Sequence, residues 1–242
     1  MHLTTKECGP CVAECGDKQI YVDERSEDLD TDVMYTTEPI QPIPYMLKGQ
    51  RTAVYVVGAS GSGKSTFIAN MLATMPKKKK RYLFSVQEAM DPAFPKSVKK
   101  VKYAKELATF LTLSPEELKD SICIFDDHDT STDKDVNKAA AALLHSLLEN
   151  GRKLNIDLFV VSHNPRDFNR TRTMILECDT FVLFPQTNRT AVTKFLREYF
   201  EDDKDFLATV KAVNDGGRFS FVTLHKNVPR YMLTTHSARL LA

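Results

Sequence analysis

Nine consecutive residues, Gly58-Ala59-Ser60-Gly61-Ser62-Gly63-Lys64-Ser65-Thr66, carry the spacing G-x-x-x-x-G-K-[ST] of a phosphate-binding loop. Glycines let backbone N–H groups curl around phosphate oxygens, and a helix beginning near Lys64 adds the positive end of its dipole. In this pattern Lys64 reaches the β- and γ-phosphates of a nucleoside triphosphate, and the Ser65 hydroxyl ligates Mg²⁺. The motif needs a strand before it and a helix after it. Both flanks qualify: an apolar run over 52–57, then Phe67-Ile68-Ala69-Asn70-Met71-Leu72.

A second cluster supplies what hydrolysis needs. The apolar run Ile122-Cys123-Ile124-Phe125 ends in Asp126-Asp127. Acids at the C-terminal end of a parallel strand project into the crevice where ligands bind. Asp126 is the expected Mg²⁺ ligand, and Asp127 the expected base that polarises an attacking water, with His128 and Asp129 able to share that role. A third run, Val160-Val161, ends in Ser162-His163-Asn164, three candidates for a sensor of the γ-phosphate or the attacking water. Arg152, which follows Asn150-Gly151, and Arg170 and Arg172, in Asn169-Arg170-Thr171-Arg172, are candidates for an arginine offered to a neighbouring subunit's γ-phosphate.

These side chains need a frame, and the hydrophobic pattern describes one. Strands are expected over 52–57, 81–86, 121–125, 157–161 and 180–184, with a terminal pair over 219–224 and 230–233. Helices are expected over 65–75, closed by Pro76, and over 133–150, where Val136, Ala140, Leu143, Leu144 and Leu147 share a face and Gly151 is a natural stop. A further helical stretch runs over about 190–213 to Gly216-Gly217, and 90–120 mixes prolines, lysines and short helical pieces. Strands alternating with helices predict an α/β fold, a mostly parallel sheet covered on both faces.

Composition bounds the setting. The chain has 242 residues, 42% hydrophobic and 27% charged, which suits a globular domain with a tail. The formal net charge is +1, but residues 1–38 hold ten acids against three bases, so that segment carries −7 and the remainder +8. Residues 1–38, without apolar periodicity, are expected to be a flexible acidic arm on a phosphate-loop ATPase domain over 39–242. A basic core suits an anionic partner, and the lysine tracts over 77–80 and 96–105 are candidate contacts to DNA phosphates. No signal peptide and no apolar stretch near the ~20 residues of a membrane span is present, so a soluble intracellular protein without a membrane role is expected. Cys123 and Cys178 read as buried hydrophobes. Cys8, Cys11 and Cys15, with His2 nearby, could bind a metal but lack a second C-x-x-C to complete the site.

The nucleotide class narrows by what is missing. A guanine-reading N-K-x-D is absent, since Asn137-Lys138 is followed by Ala139-Ala140 inside a helix, and no LSGGQ-like segment occurs. ATP is the expected nucleotide. A small-molecule kinase with Arg166, Arg170 and Arg172 as a lid stays open as an alternative.

Taken together, GASGSGKS, then ICIFDD, then ENGRKLNIDLFVVSHNPRDFNRTRTMILECDTFVLFP resemble the genome-packaging ATPases of nucleocytoplasmic large DNA viruses and virophages, in the FtsK–HerA superfamily. The resemblance covers residues 45–206. It implies a RecA-like core, a homo-oligomeric ring (hexamer or pentamer), and ATP- and Mg²⁺-dependent translocation of double-stranded DNA into a capsid, in the virion or the host-cell cytoplasm. By position it implies Lys64 and Ser65 on phosphate and Mg²⁺, Asp126 on Mg²⁺, and Asp127 as base. His163 stands where many relatives carry a glutamine sensor. Arg152, in N-G-R, is the first choice for the arginine finger and Arg172 the second. A translocase or helicase of replication or segregation, and a nucleotide-gated capsid-assembly protein, are the alternatives.

Overall fold

The computed structural model describes residues 1–25, 27–44, 51–87, 89–102, 113–128, 130–165, 171–185, 189–200, 211, 213, 217 and 219–241. Its strands are β1 (His2–Thr4), β2 (Cys11–Cys15), β3 (Lys18–Asp23), β4 (Met34–Tyr35), β5 (Ile40–Pro42), β6 (Ala53–Val57), β7 (Lys80–Ser85), β8 (Val98–Lys102), β9 (Ser121–Asp126), β10 (Asp157–Ser162), β11 (Thr180–Leu183), β12 (Val222–His225), β13 (Tyr231–Thr234) and β14 (Ser237–Leu240). Its helices are α1 (Lys64–Thr74), α2 (Lys134–Asn150), α3 (Arg172–Glu177) and α4 (Arg189–Phe200), with a 3₁₀ turn over Pro115–Leu118.

Among the described residues, ten strands form one sheet in the order β4-β14-β13-β12-β11-β6-β10-β9-β7-β8. The pairs from β11 to β8 are parallel, and those from β11 to β4 antiparallel. All five residues of β6 are buried, as a central strand covered on both faces requires. Its residues alternate between two cores. Ala53, Tyr55 and Val57 pack with Ala140, Leu144 and Leu147 of α2, Met174 of α3 and Phe195 of α4. Val54 and Val56 pack with Phe67, Ile68, Met71 and Leu72 of α1. This is a RecA-like, mostly parallel sheet with helices on both faces, as the alternation in the sequence predicts.

Two expectations change. The segment expected as a flexible arm is instead strand-paired: β1, β3, β2 and β5 make a second, antiparallel sheet. Val12, Ala13, Ile20, Val22 and Ile40 bury one face of it against Tyr231, Leu233, Ala238 and Leu240. The signal is short because β2 and β3 each bury only two apolar residues and β5 one, and the covering strands lie some two hundred residues downstream. Within 90–120, the structure shows strand β8 where only short helical pieces were expected. Its sequence, VKKVK, buries Val98 at the sheet edge while lysines dominate the rest. Much of the helix expected beyond Phe200 lies outside the described residues.

Candidate active site at the phosphate loop

The loop after β6 closes tightly on itself. A Cβ on Gly58 would lie 2.5 Å from Ser62 Oγ and 2.9 Å from Phe184 Cβ, so only glycine fits there. Gly63 has φ 100°, a left-handed conformation that glycine adopts without strain, and it starts α1 with no side-chain cap and no acid in the first turn. The first amides of α1 are therefore left for an anion. Lys64 is buried and folds back over the loop, its Nζ donating to Gly58 O at 2.7 Å and Ala59 O at 3.0 Å. Burial pulls its pKa down, and the carboxylates of Asp126 and Asp127 oppose that shift. Ser65 is partly buried and Thr66 exposed at the helix start.

Strand order brings the other groups to this loop. β10 lies between β6 and β9, with Ser162 level with Val57 and Val160 level with Phe125. The phosphate loop, the Asp126-Asp127 pair and the Ser162-His163-Asn164 turn thus share one sheet edge. Asp126 is partly buried and its carboxyl is pushed up to about 6, by desolvation first and then by the neighbouring Asp127, against the opposing charges of Lys64 and His163. Two adjacent carboxylates facing a buried lysine are a donor set that a divalent cation would suit. Asp127 has φ 52°, in the left-handed region that aspartate adopts more readily than most residues. His163 Nε2 lies 2.8 Å from Asp127 Oδ1.

The alternatives within each triplet separate. Ser162 Oγ accepts from Asn164 N–H at 3.2 Å and donates to Asn164 O at 2.9 Å, while Tyr55 OH donates to that same carbonyl at 3.0 Å. Those two residues build the turn, and His163 reaches the acids. His128 is buried with its ring edge-on to Phe125 at 6.4 Å, so it joins the core rather than the cleft. Asp129, Arg166 and Arg170 lie outside the described residues.

One contact had no signal in the motifs. Gln87, just past β7, donates from Nε2 to Asp127 Oδ2 at 3.0 Å. Lys100 of β8 in turn donates to Gln87 O, and to Ala89 O at 3.1 Å. Only the pairing of β7 with β9, level at Ser85 and Asp126, places Gln87 there. The lysine tracts are thus partly structural. Lys79 Nζ also lies 2.7 Å from Asp157 Oδ2, where the buried Asp157 carboxylate takes the Thr52 N–H at 2.9 Å through Oδ1.

Among the described residues, neither Arg152 nor Arg172 makes a hydrogen bond or ion pair to this cluster. Arg152 is exposed in the turn between α2 and β10, at the N-terminal edge of the sheet. The full length of β10, roughly 20 Å, separates that edge from the phosphate loop. Arg172 is exposed at the start of α3. The turn before Arg152 is anchored by Arg51, whose Nη1 donates to Leu147 O at 2.5 Å and whose Nη2 donates to Leu148 O, covering the C-terminal carbonyls of α2. Cys123 and Cys178 are buried, and burial pushes the Cys123 thiol up to about 12. Cys11 and Cys15 donate to Ala13 O and Glu38 O, and among the described residues no group of three or more His, Cys, Asp or Glu is arranged to hold a metal ion. No described helix is long and apolar enough to cross a membrane.

No protein-family model matches the sequence. The "Uncharacterized protein V3" of Sputnik virophage is 27% identical over 229 residues, spanning 93% of this chain and 90% of V3. Among solved structures, the pCW3 conjugation coupling protein TcpA, in its monomer form with ATPγS, is similar with a TM-score of 0.56 at 11% identity, covering 94% of this chain and 76% of TcpA. B204, the DNA-packaging ATPase from Sulfolobus Turreted Icosahedral Virus, is similar with a TM-score of 0.53 at 14% identity, covering 76% of this chain and 96% of B204. The chain thus has the RecA-like P-loop fold that the packaging ATPase B204 and the coupling protein TcpA share, and a virophage protein is its sequence relative.

Proposed function

We propose that this chain is a motor ATPase that drives viral double-stranded DNA into a capsid, working as a homo-oligomeric ring in the virion or the host-cell cytoplasm. The observation that carries the proposal is the convergence of Lys64, Asp126, Asp127 and His163 on one sheet edge, in a fold shared with a DNA-packaging ATPase. In this reading the amides from Ala59 to Thr66 hold the phosphates of ATP. Lys64 leaves the carbonyls of Gly58 and Ala59 for phosphate oxygens. Ser65 and Asp126 hold Mg²⁺, which when bound neutralises charge on the β- and γ-phosphates. Asp127 accepts a proton from the attacking water, and His163 keeps its carboxylate in place. The arginine comes from the neighbouring subunit, Arg152 first and Arg172 second, because Arg152 lies at the far end of β10 from its own loop.

The test is ATP turnover with and without double-stranded DNA, on protein whose mass in solution is measured alongside. Wild-type protein is expected to be oligomeric and to hydrolyse ATP faster with DNA. Lys64→Ala and Asp127→Asn are each expected to abolish turnover, and intact turnover in either variant would sink the mechanism.

The likeness to a conjugation coupling protein favours a second reading, a DNA translocase without a capsid role. Packaging defects on depletion, with DNA replication unchanged, separate the first from the second.

A further inference from the structure

The acids and His163 occupy only one flank of the phosphate loop. They come from β9 and β10, on one side of β6. On the other side, β11 and then β12 follow, and the segment entering β12 carries Phe219 beside the loop. Its ring atoms Cδ1 and Cε1 lie 3.2 and 4.0 Å from where a Cβ on Gly63 would stand. Phe219 is nevertheless 66% exposed, although it is a large apolar side chain next to a well-packed loop. Its neighbour Phe221 is buried, with its ring 5.0 Å from Phe67 and 6.4 Å from Phe184. On the other side of Phe219, Gly217 at φ 109° accepts the Ser220 N–H at 3.1 Å. The backbone on either side of the exposed ring is therefore anchored.

A nucleoside triphosphate in this loop has a fixed sense. Its γ-phosphate must face Asp126 and Asp127, so its nucleoside end must leave toward the opposite flank, where Phe219 stands. An exposed, backbone-anchored aromatic ring is a stacking surface for a nucleobase, and stacking of this kind strengthens binding by roughly ten- to a hundredfold per base. We propose that Phe219 stacks on the base of the bound nucleotide and carries much of the affinity for the nucleoside half of ATP. The inference rests on the nucleotide-binding reading above. It adds a residue that no phosphate-loop motif contains. It also predicts weak discrimination between adenine and guanine, because both purines offer a similar π-face.

The test separates base from phosphate. Equilibrium binding of ATP and of inorganic tripolyphosphate is measured for wild-type protein, Phe219→Ala and Phe219→Trp. Phe219→Ala is expected to weaken ATP roughly tenfold and leave tripolyphosphate unchanged. The chain has no tryptophan, so Phe219→Trp gives a single tryptophan whose emission can be excited apart from that of the tyrosines. Its emission is expected to be quenched by ATP and not by tripolyphosphate. Unchanged ATP affinity in Phe219→Ala overturns the proposal. So does an equal loss for both ligands, which would make Phe219 only a wall that shapes Gly63. Wild-type protein that binds neither ligand would instead overturn the nucleotide-binding reading itself.

Discussion

His163 Nε2 stands 2.8 Å from Asp127 Oδ1, joining the ends of two neighbouring parallel strands across the cleft. An ionised carboxylate only accepts, so the imidazole donates through Nε2–H. Gln87 donates to the other oxygen at 3.0 Å. Asp127 is thus held at both oxygens by side chains just past β7 and β10, and its orientation depends on both.

Removing the imidazole leaves that carboxylate held on one side. His163→Ala is expected to lower kcat by roughly ten- to a hundredfold with ATP affinity nearly unchanged. His163→Gln keeps a side-chain amide donor and should recover part of the rate. Steady-state kinetics decide, and a wild-type kcat in His163→Ala would take this residue out of the mechanism.

Gln87 acts through Asp127, and Lys100 acts through Gln87, so their effects should not add. Gln87→Ala is expected to cost about 1–2 kcal/mol in kcat and little in KM, as loss of one hydrogen bond to a carboxylate implies. Lys100→Ala should cost less, and the double variant no more than Gln87→Ala alone. Fully additive losses would show that Lys100 serves something other than Gln87.

The parts legible in the sequence are those set by local pattern. The phosphate loop, the ICIFDD strand and the amphipathic face of α2 each declare themselves within a dozen residues. What stayed hidden depends on strand order. Gln87 meets Asp127 only because β7 pairs with β9, and Phe219 meets Gly63 only because β12 follows β11 beside β6. The N-terminal sheet was hidden for the same reason, since Val12 and Ile20 gain their partners from Tyr231 and Leu240. His128 is the reverse case: its position beside Asp127 suggested the cleft, but packing on Phe125 takes it into the core.

Asp179 offers a pH test away from the cleft. Burial pushes its carboxyl from an ordinary 3.8 up to about 7, against the Ala53 N–H, the Thr180 hydrogen bond and the charges of Arg51 and Lys226. An acid with a raised folded-state pKa favours folding below its unfolded value, and that contribution is lost as pH rises through the folded value. Asp179→Asn cannot ionise, and the amide oxygen still accepts from Ala53. Its stability relative to wild type should therefore climb between about pH 4 and pH 7 and then level off. Thermal melts across that range check it, and a pH-independent difference would contradict the raised pKa.

Gly151 is held by close approach rather than by an unusual φ. A Cβ there would overlap Leu147 O and lie 3.1 Å from Arg51 Nη1. Gly151→Ala is expected to destabilise by about 1–3 kcal/mol, since it crowds the contact that covers the end of α2. It should also lower turnover if the turn presents Arg152 to a neighbour. Denaturant unfolding gives the first number and ATPase rates the second.

Arg152 allows the interface to be tested directly. It is exposed and sits a full strand length from its own phosphate loop. Arg152→Ala is expected to lose about a thousandfold in kcat if the side chain is the finger. Lys64→Ala should be inactive for a different reason, loss of the phosphate contact. Mixing the two restores complete sites wherever the intact loop of an Arg152→Ala subunit faces the intact arginine of a Lys64→Ala subunit. In randomly mixed rings with head-to-tail interfaces, about a quarter of the interfaces meet that condition. Activity should therefore return on mixing and peak near equal proportions. If mixtures stay inactive while Arg172→Ala with Lys64→Ala recovers, the finger is Arg172 and Arg152 only shapes the turn before β10.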